Sequence, residues 1–270
     1  MLTSIDRGSG PPVLLLHGQP GSGASWDPVT VLLEGEYRVL APDRIGYGES
    51  PGEALGLAGN ADLLASFLSG RGASPATVVA HSWSGGVAVL LADRHPDLVR
   101  SLVLVGAACT PDSLNFIDRW LTLPVLGEAM TVAGLIGIGN VLPRLRRLTG
   151  YAPDRFRDRI DTALPSRDVA GTGTGSLRRH TRTFIVEQRA IEEELPAVTT
   201  ALGRLELPVE VVSGTWDLVV PPRAAVSLVR AIPGAELTLL PRTGHFVARD
   251  RPEALAEVVG RSVRAGLGTG

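Results

Sequence analysis

Val78-Val79-Ala80-His81-Ser82-Trp83-Ser84-Gly85-Gly86 is the stretch that decides how the chain is read. Thr77 to Ala80 is a short buried strand by composition, and Ser84 to His95 carries helical spacing. A strand that runs straight into a helix leaves a single residue at the turn, here Ser82. Such a turn strains the serine backbone and lifts its hydroxyl above the sheet edge. The chain passes close to itself there, so the positions two before and two and three after must be small. They are Ala80, Ser84 and Gly85. This satisfies the steric requirement behind a Gly-x-Ser-x-Gly turn, with Ala80 and Ser84 standing for two of the glycines. A simpler role for the same residues is helix capping by Ser82 or Ser84.

Outward from this turn, short apolar runs alternate with helical patterns. Val13–Leu16, Tyr37–Ala41, Thr77–Ala80 and Leu102–Val105 read as strands, and Ser25–Leu33, Leu55–Leu68 and Ser84–His95 as helices. The rhythm predicts an α/β fold with a mostly parallel, doubly wound sheet. It breaks after Cys109. Leu114–Leu123, Leu126–Leu148 and Arg178–Glu194 are helical in pattern, with a Gly/Thr loop over Ala170–Ser176. Strands return at Val209–Ser213 and Glu236–Leu240, followed by helices at Arg223–Ala231 and Pro252–Ala265. The expected organisation is a core of 1–109 and 206–270, interrupted by a helical cap over 110–205.

Composition limits the chemistry. The 270 residues are 44% hydrophobic and 20% charged, enough apolar material for a sizeable core. A net charge of −2 lacks the basic balance of a nucleic-acid binder. All 26 basic residues are arginine, which excludes any step through a lysine, such as a Schiff base or a P-loop contact. The lone Cys109 forms no internal disulfide and is expected to be a buried, inert thiol. Gly171-Thr-Gly-Thr-Gly175 follows no strand, so it does not fit a dinucleotide fingerprint. No leader pattern opens the sequence and no apolar run is long enough to span a membrane. Ala129–Pro143 with Arg144–Arg147 reads as an apolar cap helix or, as a second possibility, a membrane-surface segment. A cytoplasmic protein with a small-molecule substrate, no nucleic-acid partner and no stable membrane insertion is expected.

A serine hydroxyl needs a base, and the base needs an acid to hold its tautomer. Of the five histidines, His245 lies on a loop after the last strand, in Arg242-Thr-Gly-His-Phe246. Loops at the C-terminal strand edge gather catalytic groups in such sheets. His95 is expected to meet the final carbonyls of its helix, His81 to point away from Ser82, His180 to be solvated and His17 to brace its loop. Asp217 follows the strand 209–213, giving the order Ser82, Asp217, His245. Backbone N–H groups of Trp83 and Gln19 are placed to meet charge on a substrate oxygen. Gly18, Trp216 and Phe246 are the expected pocket neighbours.

Four motifs together resemble the α/β-hydrolase fold superfamily, in its cap-bearing, esterase- and lactonase-like form: His17-Gly-Gln-Pro20, Asp43-Arg-Ile-Gly-Tyr-Gly-Glu-Ser50, His81-Ser-Trp-Ser-Gly-Gly86 and Thr243-Gly-His-Phe246. Only residues 2–7 precede Val13, so the first edge strand of that family's sheet is expected to be missing. The resemblance implies a serine hydrolase that forms an acyl-enzyme on Ser82 and needs no cofactor or metal. Dehalogenases and epoxide hydrolases of similar layout attack with a carboxylate instead. An ester or lactone substrate is the leading expectation. Cofactor-free haloperoxidase or perhydrolase action, and carbon–carbon bond hydrolysis, use the same three residues. A peptidase and a non-catalytic receptor-like binder fit less well.

Overall fold

Four apolar runs, Val13–Leu16, Val78–Ala80, Leu102–Val105 and Val211–Val212, lie with almost no exposure at the centre of the molecule. Strands this apolar along their whole length belong inside a parallel sheet covered on both faces. The computed structural model describes residues 2–114 and 174–268, with side chains in the second stretch from residue 179. Its strands are β1 Ser4–Arg7, β2 Pro12–Leu16, β3 Arg38–Pro42, β4 Ala76–His81, β5 Val99–Val105, β6 Val209–Gly214 and β7 Glu236–Leu240. They form one sheet in the order β1-β3-β2-β4-β5-β6-β7. Only β1 is antiparallel, pairing with β3 from Ser4 opposite Pro42 to Arg7 opposite Val39. A single strand therefore precedes β2, as the short N-terminal stretch predicts.

Side chains alternate across the sheet. Leu14, Leu16, Leu40, Val78, Ala80, Leu102, Leu104 and Val211 enter one core. Val13, Leu15, Val39, Val79, Val103, Val105 and Val212 enter the other. Helices α2 Leu57–Gly70, α3 Ser84–Arg94, α4 Thr174–Leu202 and α5 Pro222–Ala231 cover the first face. Helices α1 Asp27–Leu33 and α7 Pro252–Gly268 cover the second, with the short α6 Val247–Asp250 between the site loop and α7. Prolines open α5 and α7, where a missing N–H costs nothing.

Helix α4 is longer than its sequence pattern. The expected helix runs from Arg178 to Glu194, but the observed one starts at Thr174 and continues through Pro196 to Leu202. Proline costs a helix one hydrogen bond and a steric clash. Here Ile191, Val198, Ala201 and Leu202 pack into the first core, and that burial outweighs the break. The charged stretch 189–194 at the middle of α4 does more than face solvent. Glu194 accepts the N–H groups of Leu57 (3.1 Å) and Ala58 (2.7 Å), capping α2 from outside in place of its own Gly56. Apart from Leu114, which is extended, the predicted helices 114–123 and 126–148 lie outside the described residues, as does most of the Gly/Thr loop; Thr174–Ser176 of that loop open α4.

Candidate active site

The strand order reverses between β2 and β4, because β3 turns to one side of β2 and the rest of the sheet grows on the other. Ligands of open α/β sheets bind where this reversal leaves a crevice at the strand C-termini. The loop after β2 carries His17-Gly18-Gln19, and β4 ends directly before Ser82. The loops after β5, β6 and β7 supply Gly106, Asp217 and His245 to the same edge.

Ser82 has φ of 56°, and Arg242 is the only other non-glycine residue described with positive φ. A residue held in this region costs about 1–3 kcal/mol and persists only when its surroundings fix it. Here the Ser82 N–H donates to the Val105 carbonyl (2.9 Å), and its own carbonyl accepts the N–H groups of Gly85 (2.9 Å) and Ala108 (3.0 Å). Gly85 is close enough to β5's exit that a Cβ would lie 2.5 Å from the Ala107 Cβ. Ser84 is more than a small residue: its hydroxyl donates to the His17 carbonyl at 2.5 Å, tying this turn to the loop after β2.

Asp217 and His245 are paired and buried. Asp217 Oδ2 meets His245 Nδ1 at 2.8 Å, while Oδ1 accepts the N–H groups of Val219 and Val220, both at 2.9 Å. A carboxylate at Nδ1 keeps the proton on that nitrogen and leaves Nε2 free to accept another. Gly106 makes room for the pair. Its φ is 49°, and a Cβ there would sit 3.2 Å from both Asp217 Oδ2 and His245 Nδ1.

Gly18 lies so close to Ser82 that a Cβ would be 3.0 Å from the serine Cβ. Phe246 is half-buried, its ring 5.4 Å from that of His245. Trp216 is half-buried beside Asp217, with its main-chain N–H on the Thr243 carbonyl (2.9 Å). The Gln19 side-chain amide donates to the Phe184 carbonyl of α4 at 2.7 Å, so it faces the helix. Cys109 is buried, and burial pushes its thiol up.

Three histidines depart from expectation. His95 pairs with Asp62 of α2 (3.0 Å) through its ring, so its side chain serves a helix-to-helix contact rather than the α3 carbonyls. His180 is buried and stacks on Tyr47, ring centroids 5.6 Å apart. His81 does not turn away from the site. Its Nε2–H donates to the His245 carbonyl at 2.9 Å, and the two rings lie 4.5 Å apart. Strand alternation gives the side of the sheet His81 occupies, but not that the loop after β7 folds over that side. His17 braces its loop as expected, through Nδ1–H to the Gly18 carbonyl (2.8 Å). Burial holds His17 well below the ordinary histidine range, with Arg44 adding to the effect.

His81 is likewise driven down to about 3, first by burial and then by the nearby His245 imidazole. Its value in the fold lies below that of the unfolded chain. Its contribution to stability is therefore complete above about pH 6.5 and is lost as pH falls toward 3. His81→Gln keeps a donor for the His245 carbonyl and removes this titration. Urea unfolding between pH 6 and pH 4 is expected to show a shallower loss of stability in the variant, by up to about 1.4 kcal/mol per pH unit. Parallel curves would contradict it.

Sequence reasoning missed Arg44 and Glu187, a buried ion pair beneath the loop after β2. The one signal was an acid placed directly after the apolar run Phe184-Ile185-Val186. No helix among the described residues is long and apolar enough to cross a membrane.

With this fold and edge, the chain belongs to the alpha/beta hydrolase family, whose model matches residues 13–258. An uncharacterized protein of Mycobacterium tuberculosis is 32% identical over 94% of this chain and 75% of its own length. A 2-hydroxymuconate semialdehyde hydrolase of Pseudomonas putida is 27% identical, over 94% of this chain and 87% of its own. A pimeloyl-[acyl-carrier protein] methyl ester esterase of Neisseria meningitidis is 28% identical, covering 90% of each. Among solved structures, a thermophilic esterase from Thermogutta terrifontis superposes with a TM-score of 0.73 at 22% identity, covering 98% of this chain and 93% of that one.

Proposed function

We propose that this hydrolase cleaves a carboxylic ester or lactone of a small, largely apolar substrate through an acyl-enzyme on Ser82. The observation that carries the proposal is the Asp217–His245 pair on the same strand edge as a serine with φ of 56°. In this scheme His245 Nε2 takes the Ser82 proton as the serine oxygen attacks the carbonyl carbon. The carbonyl electron pair moves onto oxygen, where the N–H groups of Gln19 and Trp83 receive it. Collapse expels the alcohol, which takes the proton back from His245. Water, activated by the same nitrogen, then releases the acid. The 110–205 insertion, apart from the part of α4 that packs into the first core, acts in this scheme as a cap that shapes the substrate pocket, in which Gly18, Trp216 and Phe246 take part. The Neisseria relative, named for a methyl ester, supports the ester reading.

The Pseudomonas relative, named for a semialdehyde, favours a second reading in which the same residues attack a ketone-type carbonyl and break a carbon–carbon bond. A panel of p-nitrophenyl esters of rising chain length, lactones, amides and vinylogous diketones, run beside Ser82→Ala, separates the two. The proposal expects turnover of short esters or lactones that disappears in the variant. Turnover confined to the diketones would replace it with the second reading.

A further inference from the structure

Arg44 grips the loop after β2 from behind. Its main-chain N–H donates to His17 Nε2 (2.9 Å), its Nε to the His17 carbonyl (3.1 Å) and its Nη2 to the Gly18 carbonyl (3.0 Å). His17 Nδ1–H donates to that same Gly18 oxygen. The cis peptides described are Gln19–Pro20 and Ser74–Pro75, so the Gly18–Gln19 peptide is trans. In a planar trans peptide the C=O and N–H point in opposite directions. Two donors holding the Gly18 oxygen therefore turn the Gln19 N–H to the opposite side of the peptide plane.

Arg44 does not stand alone. Its terminal nitrogens pair with both carboxylate oxygens of Glu187, which α4 brings in 143 positions later along the chain. Tyr47 donates its hydroxyl to Glu187 Oε2 at 2.9 Å. The side chains of Arg44 and Glu187 are 0% and 1% exposed. The same helix reaches the second donor residue. The Trp83 indole N–H donates to the Glu187 main-chain carbonyl (3.0 Å), and the Arg44 guanidinium lies over the Trp83 ring at 4.5 Å. Gln19 is also tied to α4, through its amide on the Phe184 carbonyl.

We infer that Arg44, anchored by Glu187, is a positioning residue that aims the Gln19 N–H at the substrate oxygen, so that α4 sets the geometry of the oxyanion site. The inference rests on the serine-hydrolase reading above. A buried ion pair is poorly explained by stability, since well-packed apolar residues in its place are often neutral or stabilising. Removing one partner alone leaves a buried charge unpaired, so the informative change removes both.

The test compares wild type, Arg44→Met/Glu187→Leu and Arg44→Lys. Each is measured for urea unfolding, for kcat and KM with p-nitrophenyl acetate, and for inhibition by 1,1,1-trifluorohexan-2-one. That ketone adds to the serine as an oxyanion-bearing adduct and so reads the oxyanion donors. The double variant is expected to unfold near the wild-type midpoint and keep KM within about threefold. Its kcat and ketone affinity should each fall about 100-fold, the scale of one lost oxyanion donor. Arg44→Lys keeps a charge for Glu187 but lacks the planar fork that reaches two carbonyls, so it should fold and show the same split. A folded variant of either kind with kcat and ketone affinity within threefold of wild type would overturn the inference. So would losses that track the unfolded fraction alone. Wild-type protein that neither turns over esters nor binds the ketone would overturn the underlying hydrolase reading itself.

Discussion

Ser82→Ala is expected to lower kcat for p-nitrophenyl acetate by roughly 10⁴- to 10⁶-fold, the scale seen when a nucleophile is removed from a working triad. The substitution is unusually clean here. Alanine keeps the Cβ, so the cost of holding φ at 56° is unchanged, and the three backbone hydrogen bonds at residue 82 remain. Only the oxygen that forms the acyl bond is lost. Circular dichroism and urea unfolding should match wild type, while the steady-state rate falls to the level that the oxyanion donors alone sustain. Turnover within tenfold of wild type would remove Ser82 from the chemistry.

Asp217→Asn should cost about 10⁴-fold in kcat with KM little changed. The reason lies in how the side chain is tethered. Oδ1 accepts two main-chain N–H groups, from Val219 and Val220, and an amide nitrogen there would meet donors with a donor. The amide must therefore keep its oxygen on that side and turn its NH₂ toward His245 Nδ1. That nitrogen then becomes an acceptor, the imidazole proton moves to Nε2, and the base has no lone pair for the serine proton. Two good hydrogen bonds are retained, so stability should change little. A variant with near-wild-type kcat would show that the tautomer is not what the carboxylate contributes.

Much of the fold could be read directly. Val13–Leu16, Val78–Ala80 and Leu102–Val105 are apolar at every position because both faces of their strands are covered. The strained turn at Ser82 announced itself through the small residues around it. That Ser82, Asp217 and His245 share one edge was legible because a parallel sheet sends every such loop there. Contacts between elements distant in sequence were not. The helical pattern read from the sequence stops at Glu194, and the packing of Val198 and Leu202 against the core carries α4 on through Pro196. His180 sits among arginines, yet His180, Thr183 and Glu187 recur at helical spacing on a buried face of α4. The Arg44–Glu187 pair spans 143 positions; the apolar run before Glu187 hints that the acid is buried, but no local pattern names its partner.

The proposed mechanism stands on a covalent acyl intermediate at Ser82. Rapid acid quenching during p-nitrophenyl acetate turnover, followed by peptide mass spectrometry, tests it most directly. Acetyl mass is expected on the peptide containing Ser82, formed in the burst of nitrophenol release and absent from Ser82→Ala. Acetylation at another residue, or steady turnover with no acetylated peptide, would contradict it.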